Sequence, residues 1–274
     1  MQVAACRAAH LRFDPAPHLL EDRLAGPLLG EEAEALIGLY ADGGHWMLLE
    51  NRLFIPFRAR YAEDLVADAY RAGVRQLVVL GAGLDSFGLR RPAALAELRV
   101  IEVDHPATQR WKKRRLAELG IAPPAFLSFV ECDFEKTSVS FALRGTPFRA
   151  DAPAVVSWMG VVYYLDKQTV TRALAELAAL LAPGSAVVLD YQFPLDVLPQ
   201  RYRDVFDQAS ARLLQAGEPQ VNRYRPDELR AELLAAGFAR AELPARAELS
   251  RRYFEPLASP IPIAERFGIA VGWR

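Results

Sequence analysis

The sequence predicts an α/β protein built on a doubly wound, mostly parallel sheet. Two observations carry that prediction. From residue 76 onward, short apolar runs alternate with longer amphipathic segments, the pattern of strands joined by crossover helices. The first run, Gln76 to Leu80, breaks into Gly81-Ala82-Gly83-Leu84-Asp85, and about twenty residues later a second run ends in acid as Val100-Ile101-Glu102-Val103-Asp104. A strand, a tight glycine turn, a helix and a strand tipped with carboxylate make up the nucleotide-binding half of an open α/β sheet.

Each element follows from local signals. Residues 1–75 read as a helical N-terminal elaboration, with Leu19, Leu20, Leu24, Leu28 and Leu29 marking a short segment punctuated by Pro17 and Pro27. A longer helix is predicted from about Phe57 to Arg71, closed by Gly73, with Ala59, Ala62, Leu65, Val66 and Ala69 facing inward. Strands follow at 76–80 and 99–103, and His105-Pro106 opens a helix to about Leu119 that Gly120 and Pro123-Pro124 stop. The third strand is Leu127 to Glu131, leading into Cys132-Asp133-Phe134, and the fourth is Ala154 to Trp158. Asp166 caps a helix to Leu181, halted by Pro183-Gly184, before a fifth strand from Ala186 to Tyr191. A helical cap insert at Leu198–Ala216, a helix from Pro226 to Gly237 and late strands at 239–243 and 267–273 complete the chain. The expected organisation is a single domain: a helical cap (1–75), a cofactor-binding core (76–191), a helical insert (192–237) and C-terminal strands (238–274).

Composition narrows the function. At 274 residues and 52% hydrophobic, the chain can bury a sheet on both faces, and a net charge of −1 argues against general nucleic-acid or membrane-surface binding. Two cysteines, Cys6 and Cys132, offer neither a disulfide framework nor a zinc set, and the four histidines show no metal spacing. Arg7, His10, Arg12 and Asp14 interrupt the N-terminus, leaving no signal-peptide core, and there is no eighteen-residue apolar run, so a cytoplasmic protein is expected. The run Lys112-Lys113-Arg114-Arg115, flanked by Trp111, Leu116 and Leu119, reads as a solvated helix face. N-terminal helical arms could support a homodimer.

The glycine pattern bears on the ligand. A dinucleotide fingerprint places a third glycine at the sixth position, where the helix N-terminus meets a pyrophosphate. Here that position is Ser86, preceded by Asp85, which would repel a pyrophosphate but suits an ammonium. S-adenosylmethionine (SAM) carries a sulfonium, an ammonium and a carboxylate and no phosphate, so the turn favours it over NAD. An NAD(P)-dependent oxidoreductase and a non-catalytic SAM-binding protein are the rival readings.

Several motifs, taken together, carry a family resemblance. Leu80–Asp85 resembles an L-G-A-G-x-D turn, Glu102–Pro106 an E-V-D-x-P segment, and Phe57–Asp64 an R-x-R-x-x-x-D helix. Asp133-Phe134, Val162–Leu165 and Arg252-Tyr253-Phe254 extend the likeness over roughly residues 10 to 274. In these features the chain resembles the leucine carboxyl methyltransferase-like class I SAM methyltransferases, with their Rossmann-like fold, which include the tetracenomycin-type carboxyl O-methyltransferases. It departs from them after the fourth strand, where Trp158-Met159-Gly160 stands in place of a glutamate motif.

The resemblance implies roles. Gly81, Ala82, Gly83 and Asp85 would meet the methionine part of SAM, with Met159 beside it. Asp104 would bind the ribose, with Glu102, on the same strand face, as its competitor. Asp133 and Phe134 would read the adenine. Arg58 or Arg60 would grip the SAM carboxylate; Arg60 is preferred, against the alternative of a surface arginine paired with Glu63 or Asp64. Tyr163 and Tyr164 would sit where cofactor and substrate meet, as the catalytic candidates. Tyr191, Arg203 and Arg223 are the substrate-side candidates, the arginines because an anionic acceptor calls for cations. The implied activity is O-methylation of a small carboxylic acid in bacterial secondary metabolism, with no general base required because the acceptor is already ionised.

Overall fold

The computed structural model describes residues 1–134, 136–205, 220–257, 259 and 261–274. Its strands are β1 (Gln76–Leu80), β2 (Arg99–Asp104), β3 (Leu127–Glu131), β4 (Val155–Trp158), β5 (Ala186–Gln192), β6 (Arg240–Glu242) and β7 (Phe267–Trp273). They form one sheet in the order β3-β2-β1-β4-β5-β7-β6, parallel from β3 to β5, with β7 antiparallel to both β5 and β6. The strand boundaries fall within about two residues of those the apolar runs predict.

Every residue of β1, β4 and β5 is buried, as a parallel sheet covered on both faces requires. Side chains alternate between two cores. Leu77 and Val79 join Leu53, Phe54 and Phe57 on one face, and Val78 and Leu80 join Leu174, Leu177, Leu229 and Leu233 on the other. The first face is covered by α1 (Gln2–Phe13), α2 (Ala25–Leu28), α3 (Ala33–Gly38) and α4 (Trp46–Arg71), together with α5 (Phe87–Arg90) and α6 (Pro106–Glu118). The second is covered by α7 (Val139–Ala142), α8 (Lys167–Leu180) and α9 (Pro226–Ala235), and a short α10 (Arg246–Leu249) precedes β7. Asp166 caps α8, accepting from the Thr169 N–H at 2.8 Å.

The helix predicted from Phe57 begins at Trp46 instead and runs straight through Pro56. His45 caps its start, its Nδ1 accepting from Met47 N–H at 3.3 Å. An interior proline costs about 3 kcal/mol. Leu53, Phe54, Ile55 and Phe57, all buried, each contribute about 1.5–3 kcal/mol and outweigh it.

Within the predicted insert, residues 200–205 are helical and residues 206–219, most of the expected Leu198–Ala216 helix, lie outside the described residues. Among the described residues no helix is long and apolar enough to cross a membrane.

Tyr191 is not on the substrate side. It is 2% exposed, packs in the core beneath α9, and faces Gly268 across the β5–β7 pair. Strand alternation explains this: Asp190 takes the opposite face, toward α4, so Tyr191 must turn away from it. A Cβ on Gly268 would lie 2.5 Å from the Tyr191 ring. Gly268→Ala should therefore lower stability by about 1–3 kcal/mol through overpacking, read as a shifted urea midpoint with an unchanged slope.

Candidate functional site

The strand order reverses between β1 and β4, and in open α/β sheets ligands bind in the crevice at the carboxyl ends of such strands. The turn after β1 places Gly81 and Gly83 at φ +65° and +53°, and the turn after β4 places Gly160 at +79°, a region that favours glycine. Gly81 serves packing as well, since a Cβ there would collide with Val161 Cγ2. Between these turns lies a cleft of about 180 Å³ lined by Gly81, Ala82, Gly83, Asp85, Met159 and Gly160, with Arg58 and Glu63 from α4 and Val3 and Arg7 from α1.

Arg58 organises this cleft. It is 3% exposed, and its Nη1 donates to Asp190 Oδ2 at 2.7 Å and to the Tyr163 hydroxyl at 2.9 Å. The other Asp190 oxygen accepts from Gly160 N–H at 2.6 Å. A Cβ at Gly160 would lie 2.5 Å from Arg58 Nη2, so glycine is what lets this loop pass over the guanidinium. Burial opposes the Arg58 charge, but the Asp190 carboxylate beside it outweighs that and holds the pKa above its ordinary value. Burial pushes the Tyr163 phenol upward, so this group stays protonated while its oxygen accepts from Arg58.

The structure sets Arg60 apart from the cleft. Two residues on from Arg58, it points to the other side of α4, half-exposed, with Nε donating to Asp64 Oδ1 at 2.7 Å. The alternative of a surface arginine paired along its own helix is what the geometry shows. Glu102 is also set apart. It is fully buried beneath α6 and ion-paired with Lys112, itself fully buried, whose ammonium also donates to the Asp85 carbonyl. Lys112 thus departs from the expected solvated face. The hydrophobic neighbours Trp111 and Leu116 turn it inward, where Glu102 meets it. Burial pushes the Glu102 carboxyl up to about 7, against the pull of Lys112.

Asp104, at the very end of β2, reaches the rim of the glycine turn. Its Oδ2 accepts from Gly83 N–H and its Oδ1 from His105 N–H at 2.6 Å. Asp133 follows β3 close by, accepting from Lys136 at 2.7 Å, with His105 Nε2 at 4.0 Å. Phe134 lines a separate hollow of about 270 Å³ with Trp158 and Leu165.

A larger cavity of about 330 Å³ adjoins the cleft and shares Val3 and Ile55 as a common wall. Tyr163, Tyr164 and Arg223 line it, as does Arg266; Arg203 is exposed and outside it. Arg203 therefore drops out of the substrate side, whereas Tyr202, its neighbour, turns inward with its hydroxyl 2.8 Å from Glu50 Oε1. Sequence patterns did not point to Asp190, Glu50 or Arg266. Asp190 did carry a signal, a lone charge inside an otherwise apolar strand. Arg266 carried none, since Asn51, to which its Nη2 donates, lies 215 residues away.

A sequence profile of the leucine carboxyl methyltransferase family matches residues 1–178. The chain belongs to that family. YktD of Bacillus subtilis, a candidate SAM-dependent methyltransferase by name, is 38% identical over 134 residues, which are 49% of this chain and 44% of that protein. A Mycobacterium bovis protein of the same description is 34% identical over 199 residues, 69% of this chain and 63% of that one. The chain thus spans less than two thirds of the length of these relatives. Among solved structures, a methyltransferase candidate from Thermobifida fusca superposes with a TM-score of 0.61 at 16% identity, covering 97% of each chain, a likeness of fold.

The donor set of the cleft fits the cofactor of such a family. Arg7 and Arg58 line this small space together with Asp85 and Glu63, two cations and two carboxylates around room for a zwitterionic amino-acid end, and Asp104 accepts from Gly83 N–H at the rim of the turn.

The Glu102–Lys112 pair beneath the cleft makes a pH prediction. Because the folded-state pKa of Glu102 is raised, its contribution to stability is present below the ordinary carboxylate range and is lost as pH rises toward 7. In Lys112→Met the carboxylate has no counter-charge. The variant should lose about 3–5 kcal/mol at pH 8 and distinctly less at pH 5, where Glu102 is protonated, as measured by denaturant unfolding at the two pH values.

Proposed function

We propose that the protein is a SAM-dependent O-methyltransferase that converts a small carboxylic acid to its methyl ester. The observation that supports this reading best is the shared wall between a cleft built for a charged amino-acid end and a mostly apolar cavity lined by arginines. In it, Arg58 and the backbone of the glycine turn hold the methionine part, Asp104 takes the ribose hydroxyls in exchange for Gly83 N–H, and Asp133 with Phe134 flanks the adenine. Arg60 and Glu102 have no part. Asp190, held against Gly160 N–H, supplies a carboxylate beside the loop where Met159 replaces the family's glutamate.

When bound, the cofactor supplies an activated methyl: the acceptor oxygen bonds to the methyl carbon, the carbon–sulfur bond breaks with its pair on sulfur, and no proton moves. The chain's own contribution is alignment and exclusion of water. Tyr163, kept protonated by burial and fixed through Arg58, can donate to the acceptor and lacks the character of a base.

Calorimetric titration with SAM, S-adenosylhomocysteine (SAH) and NAD tests the cofactor. SAM and SAH should bind in the micromolar range, Asp104→Ala should weaken both about tenfold or more, and Arg60→Ala should leave them unchanged. Binding of NAD alone would sink the assignment. With SAM bound, incubation with a panel of carboxylic acids should yield methyl esters detectable by mass spectrometry.

A further inference from the structure

We infer that Arg266 is the residue that selects the acceptor, anchoring the carboxylate of an apolar acid that carries no amine. The inference rests on the carboxylate reading above and adds the anchor and the chemistry of the rest of the molecule.

Arg266 immediately precedes β7 and lines the cavity. Its Nη2 donates to Asn51 Oδ1, whereas Nη1 is buried with no hydrogen-bond partner among the described residues. The nearby Glu50 does not discharge it: that carboxylate accepts from the Tyr202 hydroxyl, and no ion pair joins it to Arg266. Burial accordingly pulls the Arg266 pKa below its ordinary value, Glu50 compensating only in part. A buried cationic donor without an acceptor is costly, and an entering carboxylate removes that cost.

The rest of the cavity defines what the carboxylate is attached to. Among the described residues no aspartate or glutamate lines it, and Arg223 is a second cation on its wall. An ammonium entering this space meets Arg266 and Arg223 and, among the described lining residues, no carboxylate. Leu48, Leu195, Leu198 and Phe267 supply apolar wall for a hydrocarbon or aryl body. Phe267, next to Arg266, lies 6.0 Å from Tyr163 between ring centroids, so the anchor and the Tyr163 hydroxyl belong to one end of the cavity. The ester product carries no charge, so its hold on Arg266 falls and release follows from the reaction itself.

The test is calorimetric titration of the full chain, with and without saturating SAH, using 3-phenylpropanoate and octanoate as probes. Octanamide, methyl octanoate and phenylalanine are the matched controls; phenylalanine differs from 3-phenylpropanoate only by its ammonium. The acids should bind at least about tenfold tighter than any of the three controls. Arg266→Met should bring the acids down to the amide's level, Arg266→Lys should keep part of the preference, and Arg203→Met should change nothing. Retained SAH affinity shows that a variant is folded, and the ligand series on the unaltered protein stands even if Arg266→Met does not fold. Equal binding of acid and amide, phenylalanine binding as well as 3-phenylpropanoate, unchanged acid affinity in folded Arg266→Met, or no acid binding would each overturn the inference. Acid selectivity without SAH binding would instead overturn the cofactor assignment and leave the anchor standing.

Discussion

The buried ion pair between Arg58 and Asp190 is the constraint on which the arrangement of cleft and cavity depends. It joins the longest helix to the middle of β5, and through the remaining Asp190 oxygen and the Tyr163 hydroxyl it fixes both the loop and the short helical turn after β4. Removing either partner would leave an uncompensated charge in the core, a loss of about 3–5 kcal/mol, while the pair itself contributes little net stability because both ions were taken out of water. Its value is therefore in position. It explains why α4 continues through Pro56, since the segment before the proline carries the aromatic packing that brings Arg58 to depth. It also explains why residue 160 is a glycine, for any side chain there would collide with the guanidinium.

The helix α1 ties the two spaces together. Every residue from Ala4 to His10 is buried, and Arg7 bridges Asp22 at 2.7 Å and the Leu84 carbonyl at 2.6 Å, pinning the helix to the glycine turn. The same helix gives Val3 to both walls and Cys6 to the cavity. A shift of α1 by even a fraction of a helical turn would change both spaces at once, because interiors are close-packed and transmit strain.

Much of this was legible in the sequence, and the rest was hidden for definite reasons. Strands and crossover helices announced themselves because their signals are local: apolar runs of the right length, a capping Asp166, a stopping Pro183-Gly184. The glycine turn, and the acid-tipped strand that ends beside it, were legible for the same reason. In contrast, α1 is buried all round and built of small residues, so it has no apolar stripe for periodicity to detect. Arg58 and Arg60 are both arginines on one predicted helix. Choosing between them needs the helix's rotation, which is set by Phe54, Phe57 and their distant partner Phe267. Lys112 looked like one member of a basic run because its partner, Glu102, was assigned to the ligand rather than to the core. Asp190 faces α4 and Tyr191 the opposite core for a related reason: alternation along β5 decides the face, and which face meets the cavity is a tertiary fact.

Arginines with buried guanidinium nitrogens separate by how their charge is met, and that separation distinguishes scaffold from site. Arg7 has Asp22, and Arg52 has Asp14 at 2.8 Å and Asp42 at 2.9 Å. Arg52 does retain an unpartnered Nε, but with two carboxylates beside it the positive charge is already neutralised. Arg58 has Asp190. For Arg266 the structure offers an amide oxygen, the face of the Phe267 ring 4.7 Å from the guanidinium carbon and a carboxylate already engaged elsewhere, and no ion pair among the described residues. Stacking on Phe267 is a weak reason to keep a cation in that state, since a methionine of similar length would fill the space without the desolvation cost. A ligand that brings its own negative charge gives a stronger one, and it places the remaining half of the ion pair on the acceptor, outside the chain's own sequence.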